Sequence, residues 1–212
     1  MANGEVVLFL CGDVMLGRGV DQILPHPGDP RLQESYAGDA GHYVRLAEAT
    51  SGTIPKPASF AWPWGDALGA IAEAAADVRI VNLETSVTTS DDFAPDKPVC
   101  YRMHPANLPA LAAVRPDVCT LANNHVLDFG RAGLAETLAA LHRAGLRTAG
   151  AGPDAAAAHE PAAVPLPGGG RVLVYSCGMP SSGVPAEWAA TDDRSGIDFA
   201  PGAATLVERA WS

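Results

Sequence analysis

The sequence predicts an α/β fold in which strands and helices alternate along one domain of 212 residues. Short apolar runs of the kind that parallel sheets bury recur along the chain, and helical patterns separate them. In addition, 48% of the residues are hydrophobic, which is enough for one core but short for two. We therefore expect a single domain over residues 1–212 built on an at least partly parallel sheet.

The first strand is expected at residues 5–12, an apolar run bounded by polar residues. Residues 25–63 differ, because they contain six prolines, several glycines and no sustained period. This pattern predicts an irregular insertion or long loop. Long loops inside a domain are often functional, so the insertion is a candidate lid or substrate wall.

Helix and strand patterns alternate after the insertion. A helix is expected at residues 64–76 before a strand at 78–83. A short helix at 107–114 leads in the same way into an apolar run at 118–122. These two rounds predict neighbouring strands joined through helices.

A third helix, at residues 131–144, has leucines on one face and Gly145 where a left-handed C-terminal cap is expected. A further strand begins at 146–148. Two apolar segments at 162–166 and 171–176, separated by Pro-Gly-Gly-Gly, then predict a β-hairpin that would make the sheet mixed. The final helix is expected from Ala203 to Trp211.

Composition excludes several classes of function. Fourteen Lys and Arg against 24 Asp and Glu give a net charge of -10 spread along the chain, so nucleic acid is not an expected partner. No cysteines form a CxxC pair, and Cys11 and Cys119 lie in apolar runs typical of buried thiols. The apolar run near the start is too short for a signal peptide or membrane span, so the chain as given is expected to be cytoplasmic.

Polar side chains follow three of the predicted strands. Asp13 comes after the first, Glu84 after the second, and the triplet 123–125 (Asn-Asn-His) after the third. Ligands bind outside the carboxyl ends of strands in open α/β sheets, and adjacent strands lie about 4.8 Å apart. Oxygen donors with one nitrogen suit Mn, Fe or Zn ions, so these residues are expected to form a metal-centred site.

Each group also has a purely structural interpretation. Asp13 could be a turn or helix-capping residue, and Glu84 could face solvent. Asp128 could either orient His125 or cap the next helix. The Asn-Asn-His triplet is harder to explain structurally, because three polar side chains after a buried strand carry a desolvation cost.

Three ordered motifs, the third in two parts, together resemble one family. Residues 12–18 (GDVMLGR), 82–84 (NLE), 123–125 (NNH) and 128–130 (DFG) occur in this order along the chain. They are similar to motifs of the CapA family, associated with bacterial poly-γ-glutamate capsule synthesis. That family looks like a branch of the calcineurin-like metallophosphatase superfamily, and the resemblance covers roughly residues 5–205.

The resemblance implies a sandwich of mixed β-sheets flanked by helices, with a dinuclear Mn, Fe or Zn site. Asp13 would bind one metal ion, Glu84 would bridge the two ions, and Asn124 would bind the second. Two ions about 3.5–4 Å apart can activate water and bind a phosphoryl oxygen.

The resemblance also implies roles around the metals. His125 would be the general acid that protonates a leaving oxygen. Asp128, which could orient it, is the second expected catalytic residue. Arg18, Asn82 and Asn123 are the expected substrate-binding residues within the same motifs.

The sequence departs from the family pattern in two ways. Met15 stands where many metallophosphatases have a metal-binding histidine, a substitution that looks normal for the CapA branch. Later His-Trp and Gly-His-x-His motifs are absent, because no histidine follows His159. We therefore expect the chain to be incomplete at its C-terminus and a dinuclear site on it to be under-coordinated.

Two main functions remain. The leading hypothesis is a metal-dependent phosphoesterase-like hydrolase of capsule synthesis that acts on a phosphorylated or polymeric small substrate. The alternative is a non-catalytic capsule-assembly factor that binds a polymer or membrane partner on the same scaffold. A weaker third possibility is a truncated product without a role of its own, and the sequence leaves the oligomeric state open.

Overall fold

A parallel β-sheet of four strands forms the centre of the structure, a computed structural model that describes residues 5–210. In chain order the strands are β1 (Leu8–Val14), β2 (Arg31–Glu34), β3 (Ala37–Asp39), β4 (Val78–Leu83), β5 (Ser86–Val87), β6 (Arg102–Met103), β7 (Val118–Thr120), β8 (Arg147–Ala149), β9 (Ala151–Gly152), β10 (Ala162–Pro165), β11 (Arg171–Val174) and β12 (Gly196–Ile197). The α-helices are α1 (Arg18–Ile23), α2 (Gly41–Ser51), α3 (Ala67–Glu73), α4 (Leu108–Ala112), α5 (Gly130–Arg143), α6 (Ala155–His159) and α7 (Ala203–Ala210).

The central sheet has the order β1-β4-β7-β8, and each neighbouring pair is parallel. Strands that follow one another in the sheet therefore also follow one another in the chain, with helical crossovers between them. This order brings the carboxyl ends of β1, β4 and β7 to one edge. The expected α/β class, with helices flanking a parallel sheet, is confirmed.

The middle strands β4 and β7 are covered on both faces, as their apolar runs predicted, whereas Leu8 and Leu10 of β1 are 44% and 68% exposed. On one face Cys119 packs into the main core with Leu134 and Leu141 of α5. On the other face Val118 packs with Val164 and further residues of the β10–β11 hairpin. Successive residues of β7 thus point into different cores, because side chains alternate along a strand.

The predicted hairpin is confirmed as an antiparallel pair, β10 with β11. It forms a sheet of its own, so strand directions are not mixed within the central sheet. The hairpin lies against the second face through the shared cluster around Val78 and Val118. Two layers of sheet result on that side, consistent with a sandwich.

Several predicted helices and caps are confirmed, with shifted ends. Helix α5 spans Gly130–Arg143, and Gly145 has the expected positive φ of 74°. The helix expected at 64–76 is instead a 3-10 turn at Trp62–Trp64 followed by α3, separated at Gly65 with φ of 50°. The structure describes helix α7 as far as Ala210. Trp211, the last residue of the predicted helix, lies outside the described residues.

The stretch 25–63 differs from the expected irregular insertion, because it contains the β2–β3 hairpin and the 11-residue helix α2. Its prolines lie at 25–30 and 55–63, which leaves the middle free to form regular structure. Helix α2 has no apolar stripe, and Val44 is its buried residue. Val44 packs with Ile23 and Ala58 in a small separate core.

The carboxylate of Asp21 attaches the start of this insertion to the rest of the domain. It is 2% exposed and accepts hydrogen bonds from Gly28 N at 2.7 Å, His104 N at 2.9 Å and Asn107 Nδ2 at 2.7 Å. Asn107 Nδ2 also donates to His26 O at 2.9 Å. A buried carboxylate therefore joins α1, the insertion and the turn before α4.

No helix between residues 5 and 210 combines the length and the apolar character needed to cross a membrane.

Asp21→Ala is expected to lower the free energy of unfolding by about 3 kcal/mol, because buried donors left without a partner cost about 1–3 kcal/mol each. Chemical denaturation followed by circular dichroism measures this loss. Asp39→Ala is the control, since Asp39 is exposed and, among residues 5–210, accepts its hydrogen bond from nearby Gly41 N. Equal stability of the two variants would contradict the role given to Asp21.

Candidate active site

The expected site residues Asp13 and Glu84 lie side by side at the carboxyl ends of β1 and β4. The register of these strands shifts between Cys11 and Val14, and Asp13 in this irregularity has φ of 52°. Aspartate tolerates the left-handed region better than most residues, and such bulges redirect side chains. The bulge turns Asp13 towards the end of the neighbouring strand.

Asn82 lies between the two carboxylates. Its Nδ2 is 3.3 Å from Asp13 Oδ1 and 3.5 Å from Glu84 Oε2. Burial, followed by the hydrogen bond and the negative charge of Asp13, raises the pKa of Glu84 to about 7. Glu84 therefore keeps its proton up to about neutral pH, as a buried carboxyl beside a second carboxylate does.

Asn123 holds the turn after β7 in place. Its Nδ2 donates to Asn82 Oδ1 at 3.0 Å and to Leu83 O at 2.9 Å, and its Oδ1 accepts from His125 N at 3.0 Å. All of its polar atoms are thus used within the protein. Ser86 Oγ donates to His125 O at 3.0 Å and fixes the same turn.

His125 and Asp128 form a buried pair. Nδ1 of His125 is 2.7 Å from Asp128 Oδ2, and its Nε2 is 3.7 Å from Glu84 Oε1. Asp128 is fully buried and also accepts a hydrogen bond from Tyr101 N at 2.6 Å. The sequence left open whether Asp128 orients His125 or caps the next helix. The structure shows the contact with His125, and the N-cap of α5 is Phe129 instead.

Lys97 is a site residue that the sequence analysis missed. Its Nζ donates to Asp128 Oδ1 and to Asn124 O, and lies 3.1 Å from His125 Nδ1. An ammonium group can donate hydrogen bonds but cannot accept them. A protonated Nδ1 of His125 therefore donates to Asp128 Oδ2, which lies 2.7 Å away, and not to Lys97. A single lysine in a loop between prolines gave no signal in the sequence.

Planar groups stack on one side of His125. The Tyr101 ring lies 3.9 Å from the imidazole at an interplanar angle of 19°. The Arg18 guanidinium lies 5.1 Å from the Tyr101 ring centroid and 4.4 Å from that of Tyr43. Arg18 and Tyr43 both bond to Glu34, whose side chain is fully buried. The insertion thus supports His125 through this stack.

The structure does not bring all the expected residues together. The side chain of Asn124 lies beside Gly183, where an added Cβ would be 3.6 Å from its Nδ2, and its carbonyl accepts from Lys97. Arg18 is paired with Glu34, and its charge is therefore already offset. The other expected residues do form one connected cluster, which consists of Asp13, Asn82, Glu84, Asn123, His125 and Asp128.

Within residues 5–210, no group of three or more His, Cys, Asp or Glu side chains is arranged to hold a metal ion. The cluster offers two carboxylates with a histidine nitrogen beyond them. Burial, and then the hydrogen bond and charge of Asp13, raise the pKa of Glu84, and a cation between the two carboxylates would offset the repulsion between them. The donor chemistry therefore fits a divalent ion at this pair, with few protein ligands.

Fold and site together define an α/β protein with an acidic site, backed by a His–Asp pair, at the carboxyl ends of its parallel strands. Residues 7–208 match the family described as "Bacterial capsule synthesis protein PGA_cap". The chain belongs to this bacterial capsule synthesis family. The CapA resemblance of the sequence motifs is thereby confirmed.

Two curated relatives come from two strains of Mycobacterium tuberculosis, and each is described as "Probable polyglutamine synthesis accessory protein". Each is 57% identical to this chain over 196 residues, which cover 92% of this chain and 52% of the relative. The chain thus spans about half the length of the curated relatives it matches.

Glu34→Gln is expected to lower the free energy of unfolding by about 3–5 kcal/mol, because it leaves the Arg18 charge buried without its partner. Urea denaturation of both proteins measures the difference. Glu48→Gln is the matched control, since Glu48 pairs with the half-exposed Lys56 at the surface and should change stability much less. A loss for Glu34→Gln no larger than that for Glu48→Gln would show that the Arg18 pair does not hold the insertion.

The stability of the metal-free protein is expected to fall as the pH rises from 4.5, the ordinary carboxyl pKa, to about 7. A carboxyl whose pKa is raised by folding binds its proton more tightly when folded, so its ionisation costs stability. Denaturation at several pH values in chelator, for wild type and Glu84→Gln, measures this component. Exposed Glu73→Gln is the control, and identical pH curves for wild type and Glu84→Gln would contradict the assignment.

Proposed function

We propose that this chain carries the acidic and acid–base residues of a metal-dependent, phosphoesterase-like hydrolase that acts in capsule polymer synthesis. The observation that carries the proposal is the cluster at the strand ends. There Glu84 has a raised pKa beside Asp13, and Nε2 of His125 lies 3.7 Å from Glu84. Family membership supports the capsule role.

Asp13 and Glu84 are the proposed ligands of a divalent ion, with Mn, Fe or Zn as candidates. A bound ion of this kind supplies Lewis-acid chemistry, polarising a phosphoryl oxygen and activating water. Asn82 donates to both carboxylates and orients them. Asn124 is the proposed ligand of a second ion. To bind it, the Asn124 side chain has to move away from Gly183.

His125 is the proposed general acid. Asp128 Oδ2 accepts a hydrogen bond from the Nδ1–H of His125, so the imidazole is fixed with Nε2 directed at the carboxylate cluster. Nε2 in its protonated form donates to the leaving oxygen of a substrate bound there. Lys97 and Tyr101 N hold Asp128 in place and thereby keep the imidazole oriented.

The substrate is proposed to be a phosphorylated or polymeric small molecule of capsule synthesis. The relatives are described as accessory proteins of polyglutamine synthesis, which is consistent with a polymer-related substrate. Asn82 would act on the substrate indirectly, since its Nδ2 bonds to Asp13 and Glu84 and its Oδ1 accepts from Asn123. Arg18 and Asn123 would also act indirectly, since both are bonded within the protein.

Hydrolysis of an aryl phosphate with added Mn²⁺ tests the proposal. His125→Asn and Glu84→Gln are each expected to lower kcat by at least about 10²-fold, the usual scale for a lost general acid or a lost charged group at the reacting centre. His142→Asn, on the exposed face of α5, is the matched control and should keep full activity. Elemental analysis measures the bound metal, which Glu84→Gln should reduce.

Unchanged hydrolysis in both His125→Asn and Glu84→Gln would overturn the assigned roles. Metal content that does not differ between wild type and Glu84→Gln would separately remove Glu84 as a ligand.

A non-catalytic assembly factor is the second candidate function. The small number of metal-binding side chains grouped within residues 5–210 favours it. Such a factor would use the same scaffold to bind a polymer or a membrane partner. Polymer binding with no hydrolysis under any added metal would support this candidate over the enzyme.

A further inference from the structure

Lys97 is held in place from two sides. Its Nζ donates to Asp128 Oδ1 and to Asn124 O, and these bonds use two of the three N–H groups of the ammonium. The same nitrogen lies 5.3 Å from the centroid of the Trp188 ring, within the distance of about 6 Å at which an indole face attracts a cation. Trp188 is therefore in contact with the group that holds Asp128.

Solvent reaches part of Lys97, whose side chain is 20% exposed. Lys97 and Trp188 both line a cavity of about 500 Å³. Water in this cavity competes with Asp128 for the ammonium, since water accepts hydrogen bonds. The indole ring covers one side of the ammonium without such competition, because it carries a donor and no lone-pair acceptor.

The backbone around Trp188 is fixed to the rest of the domain. Arg131 of α5 donates to Glu187 O at 3.0 Å, directly before Trp188 in the chain. Ala190 N donates to Ile197 O at 2.9 Å and joins the same segment to β12. The indole itself packs against the main core. The ring is thus a rigid support for the mobile end of a lysine side chain.

We propose that Trp188 is a positioning residue of the candidate active site, whose ring keeps the Lys97 ammonium on Asp128 and thereby keeps the imidazole of His125 oriented. The inference rests on the proposed function, since the direction of the imidazole matters to a general acid. In this role Trp188 acts through Lys97 and makes no contact with the substrate.

Without the indole ring, the Lys97 ammonium would be free to turn towards the cavity. Asp128 would then lose a charge-assisted hydrogen bond and keep those from Tyr101 N and His125. A carboxylate with fewer donors rotates more easily, so the bond from Nδ1–H of His125 would open more often. Nε2 would point at Glu84 for a smaller share of the time.

Nuclear magnetic resonance of protein with ¹⁵N-labelled histidine, in chelator, measures how often this bond opens. The observable is the rate at which Nδ1–H of His125 exchanges with solvent, and the signal is assigned as the one that His125→Asn removes. Trp188→Leu is expected to speed this exchange about tenfold, the scale of a partly desolvated cation–π contact. Trp62→Leu is the matched control and should leave the rate unchanged, because Trp62 is 43% exposed.

A conservative variant separates the aromatic face from packing. Trp188→Phe keeps an aromatic ring with weaker attraction for a cation, so it should speed the exchange only about threefold. Circular dichroism checks the folding of each variant, and Trp188→Phe carries the test where Trp188→Leu does not fold. A rate in Trp188→Phe equal to that of the wild type, beside an unchanged rate in Trp188→Leu, would overturn the proposal.

A double variant tests whether Trp188 acts through Lys97. Lys97→Met should speed the exchange by itself, since it removes the ammonium and its bond to Asp128. Adding Trp188→Leu to Lys97→Met should then have no further effect, because the ring has no cation left to hold. A further tenfold increase in the double variant would overturn the proposal, since Trp188 would then act by another route.

Hydrolysis of the aryl phosphate with added Mn²⁺ separates positioning from substrate contact. Trp188→Leu is expected to lower kcat about tenfold and to leave KM unchanged, because the general acid is misdirected while the contacts of the substrate remain. A raised KM with an unchanged kcat would show that the ring binds substrate, and would overturn the positioning role.

Failure of this inference is distinguishable from failure of the proposed function, because the exchange measurement needs neither metal nor substrate. Equal exchange rates in the wild type and Trp188→Leu remove the positioning role even where hydrolysis is normal. Faster exchange in Trp188→Leu of a protein without hydrolysis supports the positioning role and removes the catalytic proposal alone.

Discussion

The buried carboxylate of Asp128 is the group on which the geometry of the site depends. It accepts hydrogen bonds from Lys97 Nζ and Tyr101 N and contacts Nδ1 of His125. A buried charge needs such partners, because an unpaired one is costly to remove from water. Satisfying this one carboxylate therefore fixes two loops, from 97 to 101 and from 123 to 128, against each other and sets the direction in which Nε2 points.

The insertion between β1 and β4 also helps to hold His125 in position. Its hairpin supplies Glu34, which binds Arg18, and its helix supplies Tyr43 for the stack that ends at His125. Asp21 attaches the start of the insertion through three donors, two from the backbone and one from a side chain. These contacts give the segment a supporting role for the imidazole rather than that of a separate loop.

Local patterns predicted the elements that bury one complete face. The strand at 78–83, the helix at 130–143 and the β10–β11 hairpin follow from apolar periodicity and from glycines at turns. Helix α2 was missed because it buries little more than Val44, so its sequence has no helical stripe. Lys97 and Tyr101 were missed for a similar reason, since neither belongs to a motif and both reach the site only through long-range contacts.

The sequence by itself determined the class of fold, the family motifs and the positions of Asp13, Glu84 and His125 at the ends of successive strands. It could do so because periodicity and strand-end chemistry are local properties of the chain. Only the tertiary structure decided that Asn123 and Arg18 are bonded within the protein, that Asn124 lies beside Gly183, and that Asp128 contacts His125. Those outcomes depend on partners distant in the chain, whose proximity follows from packing and from the need to pair buried charges.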